Sequence, residues 1–153
     1  MTEASERPRT GLIGVGYEGM EISEFVANLV AQQVSRLVDV RLTPISRKPG
    51  FSKTALAIAL ARVGIAYEHH RALGNPKSNR AGFGGDEQAV VEAKARYCQL
   101  LERPEAAAAL EKLRRAATRE RVAVLCFEAD QYRCHRDVVL REVAALSLRV
   151  VDP

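Results

Sequence analysis

The chemistry-bearing residues of this chain crowd into one stretch, VLCFEADQYRCHR, which holds Cys126, Glu128, Cys134, His135 and Arg136. Cys126 is expected to end a buried strand, with Cys134, His135 and Arg136 at the mouth of the helix that follows. Backbone N–H groups are unpaired there and the helix dipole favours negative charge. A cysteine held near His135, Arg133 and Arg136 has its pKa lowered and is partly thiolate at neutral pH. Three chemistries compete on these residues. One is a cysteine nucleophile acting on an anionic or sulfur-bearing substrate. A second is a redox pair, Cys126 with Cys134, separated by seven residues. The third is a metal set of Cys126, Cys134, His135 and one of His69 or His70. The spacing C-x7-C-H is not that of a zinc finger, so neither metal nor other cofactor is assigned. Against all three stands a plainer arrangement, a packed strand cysteine followed by two capping residues. Glu128 fits a general base or an ion-pair partner for Arg41 or Arg136. Cys98, beside Tyr97 and Leu101 on an apolar helical face, fits core packing.

The basic residues point to the same kind of partner. Between positions 41 and 85 lie Arg41, Arg47, Lys48, Lys53, Arg62, Arg71, Lys77 and Arg80, against the single acid Glu68. The net charge of the whole chain is only +4, so the remainder is net acidic. A concentrated positive segment fits a phosphate- or sulfate-like ligand or a nucleic-acid backbone. For nucleic acid, the basic loops 41–53 and 70–80 are the footprint. Aromatic residues make up only 5% of the chain, leaving Phe51 and Phe83 as stacking platforms.

Alternating strand and helix patterns place these residues. Residues 10–15 (TGLIGV), 36–41 (RLVDVR), 65–69 and 121–127 (RVAVLCF) read as strands, and 149–151 as a last edge strand. Helices are expected over 21–34, 52–63 (capped by Ser52 and stopped by Gly64), 86–101, 104–117 and 137–145. Residues 42–51, with Pro44, Pro49 and Gly50, and 71–85 read as loops, and 1–9 as a disordered tail. The pattern predicts one α/β domain over 10–153: three layers, with a mostly parallel sheet of about five strands and helices on both faces. Ligands of such sheets bind beyond the carboxyl ends of the strands. The loops there are 16–20, 42–51, 70–85 and 128–135, so the charge and the cysteines converge on one edge.

Gly14, Gly16 and Gly19 match G-x-G-x-x-G, and Asp39 follows at about the distance of a ribose-binding acid. Asp39 falls inside its strand, however, and Glu18 at the mouth of the turn repels a pyrophosphate. The glycines read better as a tight strand-to-helix turn.

With 153 residues, 47% hydrophobic and 27% charged, the composition is that of a globular domain, not a disordered chain or a disulfide scaffold. No apolar run reaches the roughly 20 residues that span a bilayer, so no membrane partner is expected. The polar N-terminus lacks the apolar core of a signal peptide. Three cysteines, an odd number, suit a reducing cytoplasm. Oligomeric state has no signal here.

Taken in order, IGVGYEGMEISEF, LVDVRLTPISRKPGFSKTALAIAL, GIAYEHHRALGNPKSNR and VAVLCFEADQYRCHR resemble the blocks of the DUF488 family over residues 10–146. The combination VDVR-x2-P-x-SR with C-x-E-x5-CHR carries the resemblance. One departure is Glu21, where the pattern shows Ser or Thr at a helix cap. The resemblance implies a small α/β protein, mostly bacterial and cytoplasmic, whose activity is not established. Its blocks fall on Tyr17, Glu18, Asp39, Arg41, Pro44, Ser46, Arg47, Phe51, Cys126, Glu128, Cys134, His135 and Arg136. A weaker similarity is to rhodanese-like domains and cysteine phosphatases, through VDVR and a strand-ending cysteine. In those proteins four or five residues separate Cys from Arg, whereas six separate Cys126 from Arg133 and nine separate it from Arg136. The expected site is therefore an anion pocket. Tyr17, Glu18, Asp39, Arg41, Ser46, Arg47, Lys48 and Arg136 bind in it, and Cys126, Cys134, Glu128 and His135 are its reactive groups.

Overall fold

The computed structural model describes residues 9–149. The expected tail over residues 1–9 lies almost wholly outside them. Four strands form one parallel sheet among the described residues: β1 (Gly11–Gly16), β2 (Arg36–Asp39), β3 (Ala66–His69) and β4 (Arg121–Cys126). Their order is β1-β4-β2-β3, so β4 is the inner strand between β1 and β2. The helices are α1 (Ile22–Ala31), α2 (Lys53–Ala61), α3 (Arg80–Phe83), α4 (Glu87–Leu100), α5 (Pro104–Ala117) and α6 (His135–Arg149).

The alternation of strand side chains builds the three layers. On β4, Val122, Val124 and Cys126 join Tyr97, Leu110, Leu113, Val138 and Val139 on one face. Ala123 and Leu125 face the other way and join Phe25, Leu29, Leu56 and Leu60 from α1 and α2. Burial on both faces explains why 121–126 is an unbroken apolar run rather than an alternating one. The expected α/β architecture holds, with four strands in place of about five. Arg149 closes α6, and the rest of the expected fifth strand lies outside the described residues.

Local signals act as their chemistry dictates, with three exceptions. Asp86 caps α4 by accepting from the Ala89 N–H at 2.8 Å, Pro104 opens α5, and Gly64 (φ +76°) ends the turn after α2. Ser52 precedes α2 but caps nothing. Its hydroxyl accepts from the Ser46 N–H at 2.9 Å and donates to the Ser46 carbonyl at 3.1 Å, closing loop 42–51 on itself. Glu21 likewise makes no side-chain cap on α1, as its departure from the Ser/Thr pattern implies. The third exception is residues 71–85, expected as irregular loop. They form two single 3-10 turns (Arg71–Leu73 and Lys77–Asn79) and α3, and they are pinned to α4. The Asn79 amide donates to Asn75 Oδ1 and to the Ala93 carbonyl, each at 3.0 Å, and the Tyr97 hydroxyl donates to the Leu73 carbonyl at 2.6 Å.

Candidate functional site

Parallel register brings the site together. Gly16 pairs with Cys126, and Asp39 with both Leu125 and His69, so four strand ends share one edge. The turn after β4 is sewn onto the end of β1: the Tyr17 and Glu18 N–H groups both donate to the Phe127 carbonyl, at 3.2 and 2.9 Å. Glu18 Oε1 accepts from the Ala129 N–H at 3.0 Å. This closeness requires Gly16, because a Cβ there would overlap the Glu128 carbonyl. The glycine fingerprint is thus a packing feature of the strand edge.

Over this edge opens a pocket of about 370 Å³. Its wall contains Tyr17, Arg41, Ser46, Arg47, Cys126, Glu128, Cys134 and His135, eight of the residues expected from sequence, together with Asn75, Arg80, Phe83 and Arg133.

At the floor, Cys126, Cys134 and His135 form a compact cluster, 6%, 1% and 6% exposed. His135 Nδ1 lies 3.7 Å from Cys126 Sγ and 3.8 Å from Cys134 Sγ. Its Nε2 sits 2.8 Å from the Val40 carbonyl. A carbonyl only accepts, so Nε2 carries the proton, and in the neutral ring Nδ1 presents a lone pair to the sulfurs. Tyr97 packs edge-on against the imidazole with ring centroids 5.2 Å apart. The two thiols differ. Burial works against the Cys134 thiolate, but a hydrogen bond from Cys126, the hydrogen bond and charge of His135 when its ring is doubly protonated, and the charge of Arg136 pull its pKa down to about 4. Cys126 moves up, through its hydrogen bond to Cys134 and then its burial. Glu128 is raised first by burial and then by the neighbouring Cys134, and its Oε2 is buried with no hydrogen-bond partner.

Arg41 and Asp39 take roles other than the one expected of them. Asp39 is fully buried, and its carboxylate receives Arg41 Nε at 2.9 Å, Arg41 Nη2 at 2.7 Å and the Tyr67 hydroxyl at 2.6 Å. Arg41 Nη1 donates to the Phe51 carbonyl at 2.7 Å and to the Tyr17 hydroxyl at 3.1 Å. Most of the Arg41 donors are therefore engaged by protein. The pair is a bracket that ties β2 to loop 42–51. Tyr17 stacks on Phe51 at 4.4 Å and continues the bracket across to β1. The Asp39 carboxylate is taken up by Arg41 and Tyr67.

Three further residues expected to contact an anion do not line the pocket. Glu18 holds the Ala129 amide. Lys48 Nζ stands over the Phe51 ring, 5.9 Å from its centroid. Arg136 is buried beside the cluster, where its backbone N–H approaches Cys134 Sγ at 3.5 Å and its Nη2 the Ala129 carbonyl at 3.4 Å. Its Nε and Nη1 have no partner. The expected stacking platforms Phe51 and Phe83 are both core residues, 0% and 6% exposed.

Two cationic wall residues escaped the site reading. Arg133 Nη1 donates to the Gly85 carbonyl at 2.7 Å, fastening the turn before α6 to the end of segment 71–85, and Arg80 opens α3 at the rim. The signal for both was their place in sequence: each sits in a loop leaving the carboxyl end of a strand, the rule that picked out Arg47.

Among the described residues no helix is long and apolar enough to cross a membrane. No curated protein and no solved structure matches the chain, and nothing supports the similarity to rhodanese-like domains. One family model does match, that of the domain of unknown function DUF488, over residues 21–143. That span runs from the start of α1 into α6 and carries β2, β3, β4 and the whole cysteine–histidine floor, so the chain belongs to the DUF488 family.

Proposed function

We propose that the pocket binds a small anionic substrate, phosphate- or sulfate-like, and holds it against a reactive floor of Cys126, Cys134 and His135. One observation carries this reading: a single concave wall combines the two thiols and the imidazole with the guanidinium groups of Arg47, Arg80 and Arg133. Fixed cations around a partly enclosed cleft favour an anion there more than on open surface. Arg47 is exposed and Arg80 is exposed, so both are available to a ligand. Ser46 adds a hydroxyl to the same wall, and its Oγ accepts from the Lys48 N–H at 3.1 Å. Glu128, with a buried oxygen that has no protein partner, supplies a proton acceptor or donor beside the thiols.

The test is protection. Alkylation of each cysteine by iodoacetamide, read by mass spectrometry in metal-free buffer at fixed pH, is compared with and without phosphate or sulfate. Phosphate is expected to slow modification of Cys126 and Cys134, and to leave Cys98 unchanged. Arg47→Ala and Arg80→Ala are expected to reduce that protection. Equal rates with and without either anion overturn the reading. For the nucleic-acid alternative, Phe51 and Phe83 offer little exposed ring, while Phe127 in the pocket wall is exposed. That alternative predicts oligonucleotide binding that weakens steeply with salt, where the pocket reading predicts competition by phosphate alone.

A further inference from the structure

We propose that Cys126, Cys134 and His135 are the three protein ligands of a zinc ion at the pocket floor. The three ligand atoms lie within 4.8 Å of one another, and all three residues are buried. In a tetrahedral site with ordinary zinc–sulfur and zinc–nitrogen bonds, nitrogen and sulfur stand about 3.6 Å apart and two sulfurs about 3.8 Å. The two nitrogen–sulfur distances here, 3.7 and 3.8 Å, are close to that value, and the two sulfurs lie within 4.8 Å of each other. The tautomer is preset as well. The Nε2–H bond to the Val40 carbonyl leaves Nδ1 as donor atom, the outer-shell arrangement typical of metal-ligating histidines.

The donor set selects the metal. Two thiolates and an imidazole suit a borderline-soft ion and exclude magnesium and calcium, which take oxygen. Three protein ligands leave one position, and all three line the same pocket as Glu128, which keeps a buried oxygen without a partner. Three ligands and an open fourth position characterise catalytic rather than structural zinc. The C-x7-C-H spacing differs from a finger because the ligands come from two elements: Cys126 ends β4, and His135 opens α6 with Cys134 just before it. On binding, any cysteine still protonated releases its proton to solvent, and no other bond changes. The inference deepens the preceding reading and rests on it only for the anion that the open position would meet.

The test is a Co²⁺ titration of the metal-free full chain with a non-thiol reductant present. One Co²⁺ per chain is expected, with thiolate charge-transfer absorption and tetrahedral visible bands, both removed by one equivalent of Zn²⁺. Cys126→Ser, Cys134→Ser and His135→Gln are each expected to lower the affinity at least about a hundredfold, beyond the 10–100-fold cost of losing an outer-shell partner. Cys98→Ser is expected to leave it unchanged. Should a serine variant fail to fold, Cd²⁺–thiolate absorption of the unmutated chain counts the sulfurs, two for this site. Absence of the charge-transfer band overturns the proposal, as does its survival when both cysteines are replaced. Phosphate protection without the band sinks the metal alone, and the band without phosphate protection sinks the anion pocket alone.

Discussion

Replacing Asp39 by Ala isolates the interaction on which the pocket wall depends. The carboxylate is fully buried and answers the Arg41 guanidinium bidentately at 2.9 and 2.7 Å, while also receiving the Arg41 backbone N–H at 3.0 Å and the Tyr67 hydroxyl at 2.6 Å. Burial alone disfavours the charged guanidinium, and Asp39 more than compensates, raising the Arg41 pKa. Without Asp39, Arg41 remains at 6% exposure with its charge unanswered. Breaking a buried pair from one side costs about 3–5 kcal/mol. For a domain of this size that lowers the melting temperature by about 6–20 °C. Calorimetry and chemical denaturation of Asp39→Ala read the loss directly. The companion Asp39→Leu/Arg41→Met removes both charges and is expected to recover most of it, since an apolar replacement of a buried pair is often neutral. A loss in Asp39→Ala below about 1 kcal/mol, the size of a surface pair, would refute the reasoning.

Three other outcomes follow from the same geometry. Gly16→Ala drives a Cβ into the Glu128 carbonyl, so it is expected to cost about 1–3 kcal/mol as overpacking does and to weaken phosphate protection of Cys126, both measurable on one variant. At the opposite sheet edge, Arg36 bonds Glu120 and Glu68. Burial works against the charge of both acids, but the hydrogen bonds from His70 and Arg36 to Glu68, and from Arg36 and Ser35 to Glu120, leave both pKa values lowered. A lowered folded pKa gives stability that is present above the unfolded carboxylate value and lost as pH falls through the folded one. Urea melts from neutral to acid pH should therefore steepen in acid, and Arg36→Met should flatten that limb. Finally, Lys77→Glu, at an exposed position outside the pocket wall, is expected to leave phosphate protection unchanged while Arg47→Ala reduces it. A loss of protection in Lys77→Glu would favour a diffuse charge effect over a pocket.

How far the site was legible depends on what each residue's neighbours do with its charge. Cys126 and the strand that carries it could be read directly, because a strand buried on both faces leaves an unbroken apolar run. The convergence of loops on one edge followed from the helix-crossover pattern, since parallel strands put every carboxyl end on the same side. Asp39 is held by a partner two positions away, Arg41. Side chains at i and i+2 in extended backbone share a face, so an Asp and an Arg at that spacing in a buried strand answer each other before any ligand does. Arg136 carries the opposite lesson: a residue in the first turn of an amphipathic helix can face the core, and the sequence marks its charge but not its side. The nearness of Cys126, Cys134 and His135 is hidden in the sequence for a related reason. Finger spacings describe ligands offered by one compact hairpin, whereas here a strand end and a helix start, joined by a turn pinned to β1, bring the donors together. Distance along the chain measures only that turn. The meeting of two sulfurs and a nitrogen is set by the β1–β4 register and by the Val40 carbonyl that fixes the imidazole, and both belong to the tertiary fold.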